Sequence, residues 1–432
     1  MCIRDRKNSH ALPVLAQAVL SSRWPAETPR LWMVSSPPDP GDLAQGLQRG
    51  FARTLALEHP EIWGGLVDLH DPLEPDSQGL LQRDLQPSLE RPPSELQVSL
   101  AGGRRSVARL VPTAGLLEPE DGRGDTAADP LVQGEGHVLI SGGLGALGQM
   151  TAQWLIDRGV SSLILLGRRE PDAHQQQRID AWTRQGRTVT LMRADISEAA
   201  TLERIRAWIA ASGRPLQGIV HAAGILDDAA IHALTAEQWG GVLRPKLEGA
   251  WHLHELSLDH PVRFFVLFSS LAAVLGSPGQ SHYAAANAAL DALAAHRRAE
   301  GLPALSLNWG PWAQEGMAAR MASRGPLRAA GLRPVSPSRC LALLERLLRS
   351  ALAGRPLPAS LSVLEADWAQ LLQSLRGRPQ ASFLEAFRDP RARADLNEAV
   401  KAEVRSEVQV DPRATPPRLK SCLLYTSDAA DE

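Results

Sequence analysis

The sequence of 432 residues predicts an α/β protein whose larger part is a doubly wound parallel sheet. From His137 to Asn308, short apolar runs alternate with longer segments of helical periodicity, as βαβ units do. The glycine pattern Gly143-x-Gly145-x-x-Gly148 follows the first of these runs and opens a helix. A second, shorter α/β series without such a turn lies before it. The sequence therefore predicts two α/β parts, of which one binds a cofactor.

Composition excludes several classes of function. The formal net charge is −2 and hydrophobic residues make up 44% of the chain, so nothing indicates nucleic-acid or membrane binding. A run of about 18 apolar residues, as a membrane span needs, is absent from the sequence. Cys2, Cys340 and Cys422 lack metal-ligand spacing, which favours a reducing, cytoplasmic location without disulfides.

We expect the domain boundaries to follow changes in composition. Both ends resemble translated sequencing-adapter read-through, which predicts a natural protein that is longer on both sides. The expected ranges are non-native residues 1–6, a truncated α/β part 8–117, a Gly/Asp/Pro-rich linker 118–136, the main α/β part 137–376, a polar linker 377–421 and non-native residues 422–432.

The first α/β part shows two buried strands around a helix, with a hairpin across Gly102-Gly103. An amphipathic helix precedes them. The predicted elements are a helix over Ala11–Leu20, a strand over Pro29–Ser36, a helix over Asp42–Glu58, a strand over Trp63–Leu69 and hairpin strands over Leu96–Leu100 and Ser106–Val111.

In the second part, six apolar runs have the length of parallel strands, and helical segments separate them. The predicted strands are His137–Ser141, Ser162–Leu166, Thr188–Arg193, Gly218–His221, Phe264–Ser269 and Ala304–Asn308. Beyond Trp368 the sequence becomes polar and rich in proline, which predicts a linker.

The glycine turn has the spacing of a dinucleotide-binding turn, in which backbone N–H groups approach a pyrophosphate at the start of the helix over Leu147–Asp157. Arg168 ends the next strand, where an acid would suit the ribose diol of NAD and a cation suits the 2′-phosphate of NADPH. An ordinary βα turn and a solvated strand end remain the alternatives. The predicted NADPH-binding residues are Gly142, Gly143, Leu144, Gly145, Leu147, Gly148, Arg168, Arg169, Asp195, Ile196, His221, Ala222, Ala223 and Gly224.

One tyrosine and one lysine stand out because their residue types are so rare in this chain. Tyr283 and Tyr425 are its only tyrosines, and Lys246 is the only lysine between Lys7 and Lys401. An ammonium beside a phenol favours the phenolate and eases release of its proton. The pair is a candidate proton-transfer site, although a coding bias for arginine also explains why lysine is scarce.

Several strings together resemble the ketoreductase domain of modular type I polyketide synthases, an extended short-chain dehydrogenase/reductase with a Rossmann-like fold. The resemblance runs from about Pro29 to about Trp368, and Arg53–Asp68 resembles the family's non-catalytic structural subdomain. The strings are Ser-Gly-Gly-Leu-Gly-Ala-Leu-Gly (141–148), His-Ala-Ala-Gly-Ile-Leu-Asp-Asp (221–228), Pro-Lys-Leu-Glu-Gly-Ala-Trp (245–251), Phe-Ser-Ser (268–270), Gly-Gln-Ser-His-Tyr-Ala-Ala-Ala-Asn-Ala (279–288) and Asn-Trp-Gly-Pro-Trp (308–312).

The resemblance implies catalytic roles for four residues. Tyr283 would be the general acid, Ser270 would hold the substrate carbonyl, and Lys246 and Asn287 would complete the proton network. Free-standing short-chain dehydrogenases carry lysine four residues after the tyrosine, but Asn287 stands there in this chain. A free-standing reductase of small alcohols is therefore a weaker alternative.

The resemblance also implies which residues orient the substrate. Leu226-Asp227-Asp228 matches the motif of B-type ketoreductases, which yield a D-hydroxyl, and Leu275 replaces the tryptophan of A-type members. Ala285 replaces a proline associated with epimerising B-type members. Trp312 and a lid helix over Ala313–Ala330 would face the substrate. As an alternative, the two aspartates cap the next helix.

The implied function is reduction of a β-ketoacyl thioester on an acyl carrier protein with NADPH. The expected partners are a phosphopantetheinylated acyl carrier protein and other synthase domains of the same polypeptide. A ketoreductase of a fatty acid synthase-like multienzyme and a non-reducing scaffold or epimerase domain remain open. No metal site is expected.

Overall fold

The computed structural model describes residues 10–24, 29–73, 75–85, 93–113, 131–313 and 330–388, together with the backbone of 422–425. Two α/β units lie in this order along the chain. The elements of the first unit are α1 (Ala11–Ser21), β1 (Leu31–Ser35), α2 (Leu43–Glu58), β2 (Trp63–Leu69), α3 (Pro75–Leu85), β3 (Val98–Ala101) and β4 (Arg104–Val107).

The first unit contains a four-stranded sheet in the order β1-β2-β3-β4, parallel except for the β3–β4 hairpin. The Asp42 carboxylate accepts hydrogen bonds from the N–H groups of Ala44 and Gln45, which explains why α2 begins where it does. The two helices, the two strands and the hairpin predicted here are all present, but of the two strands only β2 is buried throughout, since Val34 of β1 is exposed. The hairpin strands are shorter than predicted: β3 begins only at Val98, and β4 already ends at Val107.

The second unit alternates strands and helices. It consists of β5 (Val111–Pro112), β6 (His137–Ser141), α4 (Ala146–Asp157), β7 (Ser162–Gly167), α5 (Ala173–Arg184), β8 (Thr188–Arg193), α6 (Ala199–Ser212), β9 (Leu216–His221), α7 (Ala236–Leu243), α8 (Gly249–Leu258), β10 (Phe264–Ser270), α9 (Ala272–Leu275), α10 (Ser281–Ala299), β11 (Leu305–Trp309), β12 (Leu332–Arg333), α11 (Pro337–Leu352), β13 (Ser360–Ala366), α12 (Trp368–Ser374), α13 (Pro379–Phe383) and β14 (Cys422–Tyr425).

The main sheet confirms the predicted doubly wound topology. Its strands follow the order β13-β11-β10-β9-β6-β7-β8, and all of these pairs are parallel. The order reverses between β6 and β9, and ligands of such sheets bind at this point, outside the carboxyl ends of the strands. All six predicted strands are present, each within two residues of its expected bounds.

The two units meet through α2 and α10, which share one hydrophobic core. A Cβ atom at Gly46 would lie 2.9 Å from the Ala288 oxygen, and one at Gly50 would collide with the Ala284 oxygen. These glycines allow the two helix backbones to approach closely. The helix that carries Tyr283 is therefore packed directly against the first unit.

The prediction of a linker from residue 377 is wrong for its first part. Phe383, Leu384 and Phe387 are buried, and the Trp368 and Phe387 rings stack with centroids 3.9 Å apart. The apolar residues lie close together in 381–387. They cover the junction of the two units, where Gln380 donates hydrogen bonds to the backbone oxygens of Arg53 in α2 and Leu275 in α9. Residues 389–421 lie outside the described residues.

Three further expectations concern segments that are largely or wholly outside the described residues. Of the linker 118–136, only 131–136 are described, and of the lid helix Ala313–Ala330 only its two end residues. Cys422–Tyr425, expected to be non-native sequence, form strand β14 between β13 and β5. The origin of that segment stays a prediction. Among the helices of the described ranges, none is long and apolar enough to cross a bilayer.

We predict that Gly50→Ala destabilises the protein by roughly 1–3 kcal/mol, because the new methyl group overpacks the α2–α10 contact. Gly79→Ala is the matched control, since Gly79 lies in α3 of the same unit and a Cβ there meets nothing within 4 Å. Urea unfolding of both variants measures the difference. Equal stability of the two variants would contradict the importance of this contact.

Candidate active site

The glycine turn joins β6 to α4 with a geometry that only glycine permits at several positions. Gly142 has φ +71°, and a Cβ there would lie 2.7 Å from the Ala223 nitrogen. A Cβ at Gly143 would lie 2.9 Å from that of Leu165, and one at Gly148 would collide with the Gly142 oxygen. Gly145 is the N-cap of α4, so the free N–H groups of the helix begin at this turn.

A cleft of about 270 Å³ opens at this turn, at the switch point of the sheet. Most of the predicted cofactor-binding residues line it, namely Gly142, Leu144, Gly145, Arg168, Arg169, Asp195, Ile196, Ala222, Ala223 and Gly224. Four predicted residues are not among its lining residues, namely Gly143, Leu147, Gly148 and His221. Sequence reasoning missed the others that line it, Ser141, Leu166, Gly167, Ala194, Ile225 and Pro245.

Two arginines stand at the rim of the cleft, after β7. The side chain of Arg168 is 57% exposed, and its Nη1 lies 4.0 Å from a carboxylate oxygen of Asp195. Arg169 donates a hydrogen bond to the Leu144 oxygen at 3.2 Å. One guanidinium therefore braces the glycine turn, while the other is accessible beside the cleft and suits a phosphate.

His221 ends β9, and its contact with a cofactor stays a prediction. Its Nδ1 accepts a hydrogen bond from the Ser141 hydroxyl at 2.6 Å, and its Nε2 lies 2.9 Å from the backbone oxygen of Lys246. Burial and the Lys246 charge lower the pKa of His221 to about 3, so the ring is neutral. The side chain thus ties the end of β6 to the segment that carries Lys246.

Lys246 lies in a π-helical turn over Arg244–Glu248, between α7 and α8. Pro245 lacks an N–H group and therefore favours a break in the regular α-helical hydrogen bonding. The amine is buried, and it donates a hydrogen bond to the Phe268 oxygen at 3.0 Å. A Cβ at Gly224 would lie 2.8 Å from Lys246 Cε, so the lysine side chain packs against a residue that lines the cleft.

The predicted catalytic residues converge. Lys246 Nζ lies 5.5 Å from the centre of the Tyr283 ring, in the range of a cation–π contact. Burial raises the pKa of the Tyr283 phenol, and hydrogen bonds with the side chains of Ser270 and Asn287 oppose that shift. Burial also lowers the pKa of Lys246 to about 7. The phenol is thus protonated at neutral pH and has an amine and a hydroxyl beside it.

Asn287 also stabilises its own helix, since its Nδ2 donates a hydrogen bond to the backbone oxygen of Tyr283 at 2.8 Å. One turn further on is Asp291, which the sequence analysis missed. Asp291 accepts hydrogen bonds from Ser306 at 2.6 Å and from Asn308 at 2.7 Å, and burial raises its pKa to about 6. Tyr283 and Asn287 are four positions apart, as are Asn287 and Asp291, which places all three on one face of the helix. This spacing could have identified Asp291 from the sequence.

The Asp227–Asp228 loop does not cap a helix in the described structure, where Ala230 and Thr235 are the N-cap residues that follow. Instead, the Asp227 carboxylate accepts a hydrogen bond from Gln238 at 3.1 Å, and that of Asp228 accepts one from Gln280 at 3.0 Å. The loop is therefore tied to the segment that enters α10.

The other residues predicted to orient substrate are largely buried. Leu275 at the end of α9 is 7% exposed, and Ala285 is fully buried in α10. Trp312 is 3% exposed and packs edge-on against Trp309, with ring centroids 5.1 Å apart. Leu226 is half-buried. Contact of these side chains with a substrate stays a prediction.

Fold and site together define a Rossmann-like oxidoreductase of the short-chain dehydrogenase/reductase class. A profile of the KR domain family matches residues 136–314. The chain is 32% identical to a protein in "Structure of A-type Ketoreductases from Modular Polyketide Synthase", with a TM-score of 0.71 over 86% of this chain and 76% of that one. A second structure, of an A1-type ketoreductase, is 31% identical, with a TM-score of 0.72 over 89% of this chain and 78% of that one.

The chain therefore belongs to the ketoreductase domains of modular polyketide synthases, NAD(P)-dependent enzymes that reduce β-keto groups. It is also 36% identical over 345 residues to the polyketide synthase GfsB of Streptomyces halstedii. That match covers 78% of this chain but 6% of the synthase, so the chain spans a small part of that relative.

We predict that Lys246→Met stabilises the protein at neutral pH by roughly 1–4 kcal/mol, because an apolar side chain replaces a buried charge. Below about pH 7 the parent buries a charged amine; above that pH its folded state loses the proton while the unfolded chain keeps it up to about 10.5. The advantage of the variant should thus shrink as pH rises from about 7 towards 10.5. Urea unfolding across this range measures it.

Arg244→Met is the matched control, because Arg244 lies two residues away and its side chain is 54% exposed. Its stability difference from the parent should not follow the same pH course. A Lys246→Met variant that is less stable than the parent at every pH would show that the amine stabilises the fold.

Proposed function

We propose that this domain reduces a β-ketoacyl thioester to the D-β-hydroxyacyl thioester with NADPH, while the acyl chain is held on the phosphopantetheine arm of an acyl carrier protein. The carrier protein and neighbouring domains of the same synthase would be its partners. The observation that carries the proposal is the convergence of Tyr283, Ser270 and Lys246 beside the cleft of the glycine turn.

The chemistry needs these groups. A ketone carbon that gains a hydride places negative charge on its oxygen, and the hydroxyls of Ser270 and Tyr283 would stabilise that charge as hydrogen-bond donors. Tyr283 would then deliver its proton to the oxygen. The Lys246 amine beside the ring favours the phenolate that is left. Asn287 would stabilise the helix that carries Tyr283 through its hydrogen bond to the backbone oxygen of Tyr283.

We infer a preference for NADPH over NADH from the residues at the rim of the cleft. Bound NADPH would supply the hydride. The exposed guanidinium of Arg168 is beside the cleft, and Gly142, Gly145 and Gly224 line it without side chains. Asp195 and Ile196 line the part of the cleft where an adenine would lie.

The D configuration rests on the loops around the cleft. Asp227 and Asp228 stand in the loop that is tied to the entrance of α10, and position 275 is leucine. We propose that this loop makes the acyl arm enter from the side that B-type enzymes use. Two of the similar structures are titled A-type or A1-type, so product configuration is the feature that most needs measurement.

The experiment that tests the proposal gives the purified chain NADPH and an unsubstituted β-ketoacyl thioester, both on a carrier protein and on a pantetheine fragment. We expect loss of NADPH absorbance and a D-hydroxy product by chiral chromatography, with the carrier-bound substrate preferred. Cofactor binding without turnover would favour the scaffold or epimerase alternative. An L-hydroxy product would refute the B-type assignment but not the reduction.

Tyr283→Phe should lower kcat by roughly 10²–10⁴-fold, because only the proton donor is removed while the ring over which Lys246 lies is kept. NADPH affinity, followed by fluorescence, should stay at the parental value. A variant with near-parental kcat would refute the role of Tyr283 as the acid.

Arg168→Ala should reduce the preference for NADPH over NADH in kcat/KM by about tenfold or more, through loss of a charge-assisted bond to the 2′-phosphate. Arg193→Ala is the control, because Arg193 is the last residue of β8 in the same sheet and is exposed but does not line the cleft. Equal kcat/KM for both cofactors in the parent would contradict the assignment.

A further inference from the structure

Two loops near Tyr283 are joined to each other by hydrogen bonds. One is the 227–231 loop with the two aspartates, and the other is the 276–280 loop that leads into Tyr283. The Ala229 N–H group donates to the Gly279 oxygen at 2.8 Å, and Gln280 donates to the Asp228 carboxylate at 3.0 Å. His282 Nε2 lies 2.8 Å from the Asp227 oxygen. The position of one loop therefore fixes that of the other.

Both loops are also held by one carboxylate from the non-catalytic unit. Glu58 is the last residue of α2, and its Oε1 accepts a hydrogen bond from the Gly279 N–H group at 2.7 Å. Its Oε2 accepts one from the Ile231 N–H group at 2.8 Å. Each oxygen thus satisfies the backbone of a different loop, and the separation of the two oxygens sets the spacing between the loops.

Neighbouring residues of α2 contact α9 and the 276–280 loop. Thr54 Oγ1 accepts a hydrogen bond from the Ser277 N–H group at 3.2 Å, and Arg53 donates to the Ala273 oxygen. These contacts hold α9 and the 276–280 loop, and neither reaches the 227–231 loop. Glu58 differs from them because it reaches both loops at once.

The energetics favour a positioning role. Hydrogen bonds from backbone N–H groups to a carboxylate are stronger than those between neutral groups. A buried N–H group that loses its acceptor carries a desolvation cost, so the loops would move to find other acceptors. Because Asp227 and Asp228 are on one loop and Tyr283 follows the other, such movement changes the entrance for the acyl arm relative to the phenol.

We propose that Glu58 is a positioning residue that fixes the two loops and thereby the face of the carbonyl that is reduced. This inference rests on the proposed function for its stereochemical consequence. It assigns to the non-catalytic unit a part in substrate orientation, in addition to its packing against α10.

The test compares Glu58→Ala and Glu58→Gln with Glu61→Ala in the whole chain. Glu61 is an exposed carboxylate three residues further on, whose ion pair is with His59, so it controls for loss of charge. Glutamine keeps one acceptor oxygen but turns an NH₂ group towards the other N–H. We expect the D:L ratio of the product to fall about tenfold or more in Glu58→Ala, less in Glu58→Gln, and not in Glu61→Ala.

Hydrogen–deuterium exchange gives a readout that is independent of turnover. Peptides covering 227–234 and 276–282 should exchange about tenfold faster in both Glu58 variants than in the parent and in Glu61→Ala. A merely stabilising role of Glu58 would lower the unfolding midpoint without changing the D:L ratio.

In both Glu58 variants, KM should rise more than kcat falls, because the phenol itself is kept.

Two results would overturn the inference: parental exchange of these peptides in Glu58→Gln, or faster exchange with an unchanged D:L ratio. If Glu58→Ala does not fold, Glu58→Gln decides by the same two readouts. A parent chain that reduces no β-ketoacyl thioester would refute the proposed function instead, and parental exchange in Glu58→Gln would then refute the loop contact separately.

Discussion

The burial of one amine is the constraint on which the rest of the site depends. Lys246 is 3% exposed, and burial lowers its pKa to about 7. A buried ammonium is costly, so its surroundings must be fixed around it. The Phe268 oxygen accepts its hydrogen bond, Gly224 leaves room for its chain, and His221 holds its backbone. These partners come from different strand ends, which ties the site to the topology of the sheet.

The second requirement is a fixed phenol, and both units contribute to it. Tyr283 lies near the start of α10, whose backbone is pressed against Gly46 and Gly50 of α2. On the opposite side, Asp291 on the same helix accepts hydrogen bonds from Ser306 and Asn308 of β11. The helix is therefore held from two directions, by the first unit on one side and by β11 on the other.

The sequence alone predicted the elements whose signals are local. The glycine spacing, the six strands and the isolated Tyr283 and Lys246 could all be read because each has a strong pattern in a short stretch. What it missed depends on tertiary neighbours. The sequence did not predict that His221 contacts Ser141 and Lys246, because these partners are distant in the chain. Residues 379–387 were assigned to a linker, although they cover the junction of the two units.

The most direct test of this account is the pKa of Lys246 itself. With lysine labelled at ¹³Cε, NMR would report Lys246 and three other signals, from Lys7, Lys401 and Lys420. Lys246→Met assigns the signal by its disappearance. The account predicts that this signal titrates near pH 7, while the others follow the ordinary value of about 10.4. A Lys246 signal that titrates with the others would contradict the dry, tightly enclosed amine on which the account rests.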